Sequence, residues 1–206
     1  MAITLNGGTG VITGVAVGGL PDGIVDAGTL ATNSVDSDEL INGAIDAGHL
    51  ASGVGGKIVQ AVNVMNSAVA TTTGTIAADD TIPQITEGGE FMTLAITPTS
   101  ASNILKIDVH IWISNSIDNN MIVGLFNTDK HATNAQASQT DYFNRPGGPA
   151  GISFTWWTTA GTTSATTWRV RAGGHSAGTC SFNGSSGSRR QGGVGASSIT
   201  IMEIAV

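Results

Sequence analysis

The chain has 206 residues and a formal net charge of −7, a length that corresponds to one or two domains. Apolar residues make up 40% of it, and with many β-branched residues among them this composition excludes an intrinsically disordered chain. The 29 glycines argue against long helices, and the single cysteine excludes an intrachain disulfide.

The first fourteen residues predict two short strands, 3–5 and 11–13, that are separated by glycines. We expect residues 1–14 to form a docking segment, since they are too few to bury a core of their own. The segment has neither a basic region nor an apolar run of signal-peptide length. The sequence therefore predicts a protein made in a cytoplasm; if it acts outside a cell, something other than secretion takes it there.

Residues 15–50 contain a ten-residue repeat, in which a β-branched residue and a leucine recur at fixed positions. These positions are Val15, Leu20, Val25, Leu30, Val35, Leu40, Ile45 and Leu50. Five-residue spacing fits neither a helix nor a strand, so each repeat is expected to combine an extended piece with a turn. Two apolar side chains per repeat cannot enclose a core within one chain, so they should pack against other copies around a shared axis. The sequence therefore predicts a shaft over 15–56, which ends at a glycine-rich joint.

From Lys57 onward the pattern changes to alternating strands. The predicted strands are 57–65, 90–98, 103–114, 120–127, 151–158, 166–172, 178–183 and 197–206. In the clearest of them, 103–114, one face carries Leu105, Ile107, Val109, Ile111 and Ile113, and the other carries Lys106, Asp108, His110 and Trp112. Short antiparallel strands in this number predict a sandwich or jelly roll. The predicted fold is all-β, with the repeat-built shaft followed by an antiparallel β-sandwich knob over 57–206.

Two segments of the knob offer candidate receptor contacts. The Gly- and Ser-rich loop 184–193 presents Arg189 and Arg190, whose guanidinium forks suit sulfate, phosphate and carboxylate groups of surface glycans. Tyr142 and Phe143 add aromatic planes for sugar stacking. The alternative for the arginines is a role in solubility or in salt bridges between subunits.

Tryptophans of the knob are expected in the core or at subunit interfaces, because aromatic side chains dominate buried area. Trp157 alternates away from Trp156 along its strand, so it is expected to be exposed or at a subunit interface. Trp112 lies on the polar face of its strand, and we expect it at a subunit interface.

If the strand that begins at Lys57 runs away from the shaft and the strands alternate, the loops divide between two ends of the knob. Loops 66–89, 115–119, 159–165 and 184–196 then lie at the distal end, and loop 128–150 faces the shaft. One additional strand within 66–89 would reverse this assignment.

Several stretches resemble parts of bacteriophage tail-fibre proteins. Three stretches resemble the end of the C-terminal domains of these fibres: Trp168-Arg-Val-Arg171, residues 178–184 and residues 197–204. Residues 3–10 and 14–22 resemble the N-terminal parts. Residues 57–60, which lead to 94–102, also resemble such fibres. The resemblance implies a homotrimer with a virion-attached N-terminus, a thin shaft and a knob similar to those of tumour-necrosis-factor-like proteins. It implies no catalytic residue.

The resemblance implies a structural virion fibre of a tailed phage that recognises the host surface without catalysis. Its partners would be a tail, baseplate or capsid protein at the N-terminus and a glycan or protein of the host cell. A capsid-attached head fibre or spike needs the same three parts. A polysaccharide-degrading tail enzyme, the rival from another class, would require a long parallel β-helix with facing carboxylates.

The sequence predicts no catalytic, metal or cofactor site within one chain. Asp79, Asp80, Glu87 and Glu90 are close in sequence, but nothing places two carboxyls across a sugar as glycoside hydrolysis requires. The four histidines sit in different predicted elements without ligand spacing. Around a threefold axis, three copies of His49 would form a ring able to hold an ion. The residues at its repeat position, Thr29 and Glu39, favour a solvent-facing histidine instead.

Charge and hydropathy also predict which partners are absent. Residues 1–56 contain six acidic residues and no lysine or arginine, so nucleic acid is not expected as a partner. No stretch approaches the length of a membrane span. The resemblance to phage fibres implies that the protein is located in the virion.

Overall fold

The computed structural model of the chain describes residues 57–206 in full, the backbone of residues 4–6 and 11–13, and residues 45 and 49. The chain divides into two compact units, Met1–Gly55 and Gly56–Val206. In the first unit, β1 (Thr4–Asn6) pairs antiparallel with β2 (Val11–Thr13).

The predicted shaft positions lie outside the described residues, with the exception of Ile45, which is 49% exposed. Both the shaft and the docking role of residues 1–14 therefore stay predictions.

The second unit contains twelve strands and one short 3-10 helix. They are β3 (Ile58–Asn66), β4 (Ala70–Thr72), β5 (Gly89–Ile96), β6 (Ile104–Asn115), β7 (Asn119–Asn127), β8 (Ala135–Phe143), β9 (Ala150–Thr159), β10 (Thr166–Gly174), β11 (Cys180–Phe182), β12 (Gly184–Ser185), β13 (Ser188–Arg189), the helix Gln191–Gly193, and β14 (Ser197–Ile204). In the part of the chain described, no helix is both long and apolar enough to cross a membrane.

Two antiparallel sheets form a β-sandwich, as predicted for this part of the chain. The smaller sheet has the order β5-β10-β7-β8. In the larger sheet, β14 lies between β3 and β6, while β9 pairs with the other edge of β6. Past the end of β14, the short strand β11 pairs with the same edge of β6, and β4 pairs with β11. The long strands alternate between the sheets except at β7 and β8, which gives the sandwich a jelly-roll-like connectivity.

The core between the sheets follows the period-two pattern of the sequence. Every apolar residue predicted for the inner face of β6 is buried, from Leu105 to Ile113. Trp168 and Val170 from β10 face them, and Ile199 and Ile201 come from β14. β14 lies between β3 and β6, so the apolar C-terminal strand is central in its sheet.

Strand register defines the two ends of the sandwich. At the near end, where the chain enters at Lys57, Ile204 of β14 pairs with both Ile58 and Ile104, and Ile104 pairs with Thr159. The far end is the opposite one, where Asn66 pairs with Ser197.

The predicted loop over 128–150 is wrong, because residues 135–143 form strand β8, which pairs with β7 along its whole length. Since β8 crosses the sandwich, residues 144–149 lie at the far end, together with 115–118 and 183–196. Loop 160–165, predicted at that end, lies instead at the near end. Strand β4 falls within 66–89 but lies at the far end, so it does not reverse the direction of the following strands.

Candidate functional site

The loop that carries Arg189 begins as a tight hairpin. β12 pairs with β13 so that Gly184 is opposite Arg189. The two residues between these strands, Ser186 and Gly187, have φ angles of 50° and 73°. Positive φ at both positions is what a type I′ turn requires. The Ser181 hydroxyl oxygen accepts the N–H of Gly187 at 2.8 Å, so the Gly- and Ser-rich loop predicted here begins as an anchored hairpin.

The turn that follows β8 contacts this hairpin. The carbonyl of Gly147, a residue with φ of 72°, accepts a hydrogen bond from the Ser185 hydroxyl. Its N–H donates to the Asn115 carbonyl at 2.6 Å. The Ser185 oxygen in turn accepts Nη2 of Arg190 at 3.3 Å. Ser185 therefore links the Arg190 side chain to the backbone of Gly147, which lies two residues after Arg145.

Beside this turn is a small recess of about 120 Å³, lined by residues that include Asp141, Tyr142 and Arg145. Tyr142 is 60% exposed, and Arg145, Arg189 and Arg190 are exposed as well. The Asp141 carboxylate accepts the backbone N–H of Tyr142 at 2.8 Å. We call Tyr142, Arg145, Arg189 and Arg190 the far-end cluster. Sequence reasoning placed its two halves at opposite ends and did not select Arg145.

The other two arginines of the sandwich, and Lys106, are engaged with carboxylates, whereas Lys130 donates to the Thr158 hydroxyl and the Thr159 carbonyl. Arg169 and Arg171 both pair with Glu90, at 3.3 and 3.4 Å, and Lys106 pairs with Asp108. Within residues 57–206, no carboxylate forms an ion pair with an arginine of the far-end cluster. The guanidinium charges of this cluster are therefore available to a ligand.

The remaining aromatic candidates lie elsewhere. Phe143 is 6% exposed and belongs to the core, because neighbouring residues of a strand point to opposite faces and Tyr142 takes the outward one. Trp157 is 53% exposed but lies opposite Lys106, towards the near end. Trp112 is half-buried against its own chain, since a Cβ added to Gly195 would lie 2.6 Å from its ring.

The larger sheet presents a second surface, which we call the outer face. It is formed by the outward side chains of β3, β14, β6 and β9, which register aligns in three rows: Met65, Ser198, His110 and Ser153; Asn63, Thr200, Asp108 and Thr155; and Ala61, Met202, Lys106 and Trp157. Met65 is 69% exposed. The Nζ of Lys106 lies 5.9 Å from the centre of the Trp157 ring, within the range of a cation–π contact.

An open groove of about 310 Å³ runs between the first two rows of the outer face. There His110 Nδ1 lies 2.7 Å from the Ser153 hydroxyl, and the Thr155 hydroxyl donates to Asp108 at 2.6 Å. Burial by itself would raise the pKa of Asp108, but the hydrogen bonds from Lys106 and Thr155 hold it below its ordinary value. The outer face therefore combines exposed apolar side chains with charges of both signs.

The carboxylates considered as a catalytic pair are engaged in local contacts. The Glu87 carboxylate accepts the N–H of Gln84 at 2.6 Å, and Glu90 binds the two arginines of β10. Hydrogen bonds from the Thr81 hydroxyl and N–H lower the pKa of Asp79. Across the residues that the structure describes, no group of three or more His, Cys, Asp or Glu side chains converges as metal ligands do. The ring of His49 around an axis stays a prediction.

No protein-family model matches this sequence, and no curated protein matches it either. Solved structures of similar fold include Eiger TNF from S. frugiperda, at 12% identity and a TM-score of 0.38, over 70% of this chain and 93% of that one. A CBM4 structure matches at 14% identity and a TM-score of 0.35, over 63% of this chain and 74% of that one. The enzymatically active domain of tailspike protein 4 from bacteriophage CBA120 matches at 15% identity and a TM-score of 0.24, over 64% of this chain and 19% of that one. At these identities the likeness concerns the β-sandwich fold alone.

Proposed function

We propose that the protein is a structural virion fibre of a tailed phage, and that its β-sandwich knob binds the host surface without catalysis. One observation carries the proposal. Exposed Tyr142 and three arginines without carboxylate partners in the described chain lie at the far end of the sandwich, opposite the entry of the chain at Lys57. Exposed tyrosine and arginine are the residue types that dominate recognition surfaces.

The outer face supports the further proposal that the fibre is a homotrimer. Exposed Trp157 and Met65 would be buried by other copies of the chain, as aromatic and Met side chains are enriched at interfaces. Lys106 and Asp108 pair with each other within one chain, so these two charges already have partners when the face is covered.

The ten-residue repeat supports the shaft in this proposal. Its paired apolar positions need neighbouring chains to cover them, and association of the knobs would supply those chains. Residues 1–14 would then dock on a tail, baseplate or capsid protein. Electron micrographs of virions labelled at the knob would distinguish a tail fibre from a capsid spike.

The host-binding role is tested by incubating the fluorescently labelled full-length chain with a panel of bacterial strains. We expect saturable binding to at least one strain and no new reducing ends in its surface polysaccharide. Failure to bind any strain would contradict the adhesion role. Release of reducing ends would favour the polysaccharide-degrading enzyme.

A further inference from the structure

We infer that the far-end cluster is a binding site for an acidic glycan, with a sugar ring against Tyr142 and the anionic group at Arg145 and Arg190. The inference rests on the proposed host-binding function and deepens it by naming the chemical class of the receptor. A carboxylate and a sulfate share the required chemistry, since each offers an arginine fork two acceptor oxygens.

The distribution of charge carries the first step. The chain has a net charge of −7 and only eight lysines and arginines, so as a whole it repels anions. The far-end segments 141–149, 184–196 and 115–118 nevertheless hold three arginines against two aspartates, Asp141 and Asp118. In the described sandwich the other arginines, Arg169 and Arg171, are paired with Glu90. The far end is thus the part of the sandwich where guanidinium charge is both concentrated and unpaired.

The second step concerns the neighbourhood of Tyr142. Its backbone is held in β8, opposite Asn120 of β7, so the exposed ring stands on a paired strand rather than on a free loop. Tyr142 and Arg145 line the same recess, and Asp141 lines it with them. An aromatic plane offers a sugar ring its apolar face, while the aspartate oxygens can accept its hydroxyls.

The third step is the fixed position of the two arginine-bearing segments. The Ser114 hydroxyl donates to the Gly184 carbonyl at 2.9 Å, and Ser185, which is 2% exposed, bridges Gly147 and Arg190. Both segments are therefore held before any ligand arrives, which lowers the entropic cost of binding.

The test is isothermal titration of the full-length chain with trigalacturonate, with a sulfated heparin-derived trisaccharide, and with neutral maltotriose. We expect at least one acidic trisaccharide to bind and maltotriose not to bind. The acidic probe that binds identifies the anionic group as a carboxylate or a sulfate. Equal binding of maltotriose, or no binding of either acidic probe, would overturn the inference.

Matched variants connect binding to the cluster. Arg145→Gln and Arg190→Gln should each weaken acidic-glycan binding about tenfold or more, the cost of one hydrogen bond to a charged group. Lys57→Gln removes the same charge at the near end and should leave the affinity unchanged. Arg145→Lys retains the charge without the fork and should give an intermediate affinity. Wild-type affinity in both glutamine variants would refute the assignment.

Cell binding separates this inference from the proposed function. If the wild-type chain binds a bacterial strain and neither acidic probe, the inference fails while the host-binding function stands. If an acidic probe binds through the arginines and no strain is bound, the site is confirmed while host binding fails.

Discussion

The side-chain carboxylate of Glu203 accepts the backbone N–H of Thr99 at 2.8 Å. Glu203 is fully buried, and the same carboxylate also accepts the Asn103 amide at 2.7 Å and the Ser100 N–H at 3.2 Å. Neutral donors thus satisfy a buried charge and tie the loop between β5 and β6 to the C-terminal strand. In sequence, Glu203 appears only as a polar position in an apolar strand.

The stability of the fold should fall in acid because of Glu203. Burial alone would raise the pKa of Glu203, but hydrogen bonds from Gln60, Asn103, Thr99 and Ser100 lower it from 4.5 to about 2. A depressed native pKa stabilises the fold above the ordinary value, and this stabilisation disappears as the pH falls from 4.5 towards 2. The loss of unfolding free energy should be roughly 3 kcal/mol, measured by urea denaturation at a series of pH values. Glu203→Gln should be less stable at pH 7 and show a shallower acid dependence; identical slopes would contradict the assignment.

Cys180 should be unreactive in the folded protein. It is buried, and burial raises the pKa of its thiol to about 12, so almost none of the reactive thiolate is present at pH 8. Labelling with a disulfide reagent such as DTNB should be slow in native buffer and rapid in denaturant. Rapid labelling of the native protein would contradict the packed-thiol assignment.

Phe143 should contribute to the stability of the fold, and Tyr142 to glycan binding. Phe143→Ala removes a core side chain and should lower the free energy of unfolding by about 3 to 5 kcal/mol. Tyr142→Ala changes an exposed residue and should stay within about 0.5 kcal/mol of wild type, while weakening glycan binding. Urea denaturation of the two variants makes the comparison, and equal losses of stability would count against this division.

Trp157 should contribute to assembly of the proposed trimer. Trp157→Asp places a charge on the outer face, and sedimentation should shift towards the monomer because burying an unpaired charge is costly. Ile82→Asp is the matched control, since Ile82 has a similar exposure of 54% and lies between β4 and β5, away from the outer face. A trimer that survives Trp157→Asp, or that dissociates equally with Ile82→Asp, would rule out this surface.

The predicted shaft can be tested through Leu40. Removal of a packed leucine costs about 2 to 5 kcal/mol, and a trimer contains the substitution three times. Leu40→Asp should make the shaft sensitive to protease while the knob stays trimeric in sedimentation. A wild-type full-length chain that sediments as a stable, folded monomer would contradict the shaft.

Local pattern was sufficient to predict most of the sandwich. The alternation along β6 assigns Leu105 and Ile107 to the core and Lys106 to the outside because side chains of a strand alternate between its faces. The same rule sets Trp157 apart from Trp156 along β9, and Trp157 is 53% exposed. These conclusions needed no knowledge of which strands pair.

The sequence by itself determined the all-β class and the inner and outer faces of the clearest strands. Only the tertiary structure decided that 135–143 is a strand, because this edge strand is rich in Ala and polar residues and lacks the apolar alternation that marks a buried face. That strand carries Tyr142 and Arg145 to the end where Arg190 lies. The donors around Glu203 likewise come from residues about a hundred positions away. Such contacts depend on long-range strand pairing, and no local pattern in the chain encodes it.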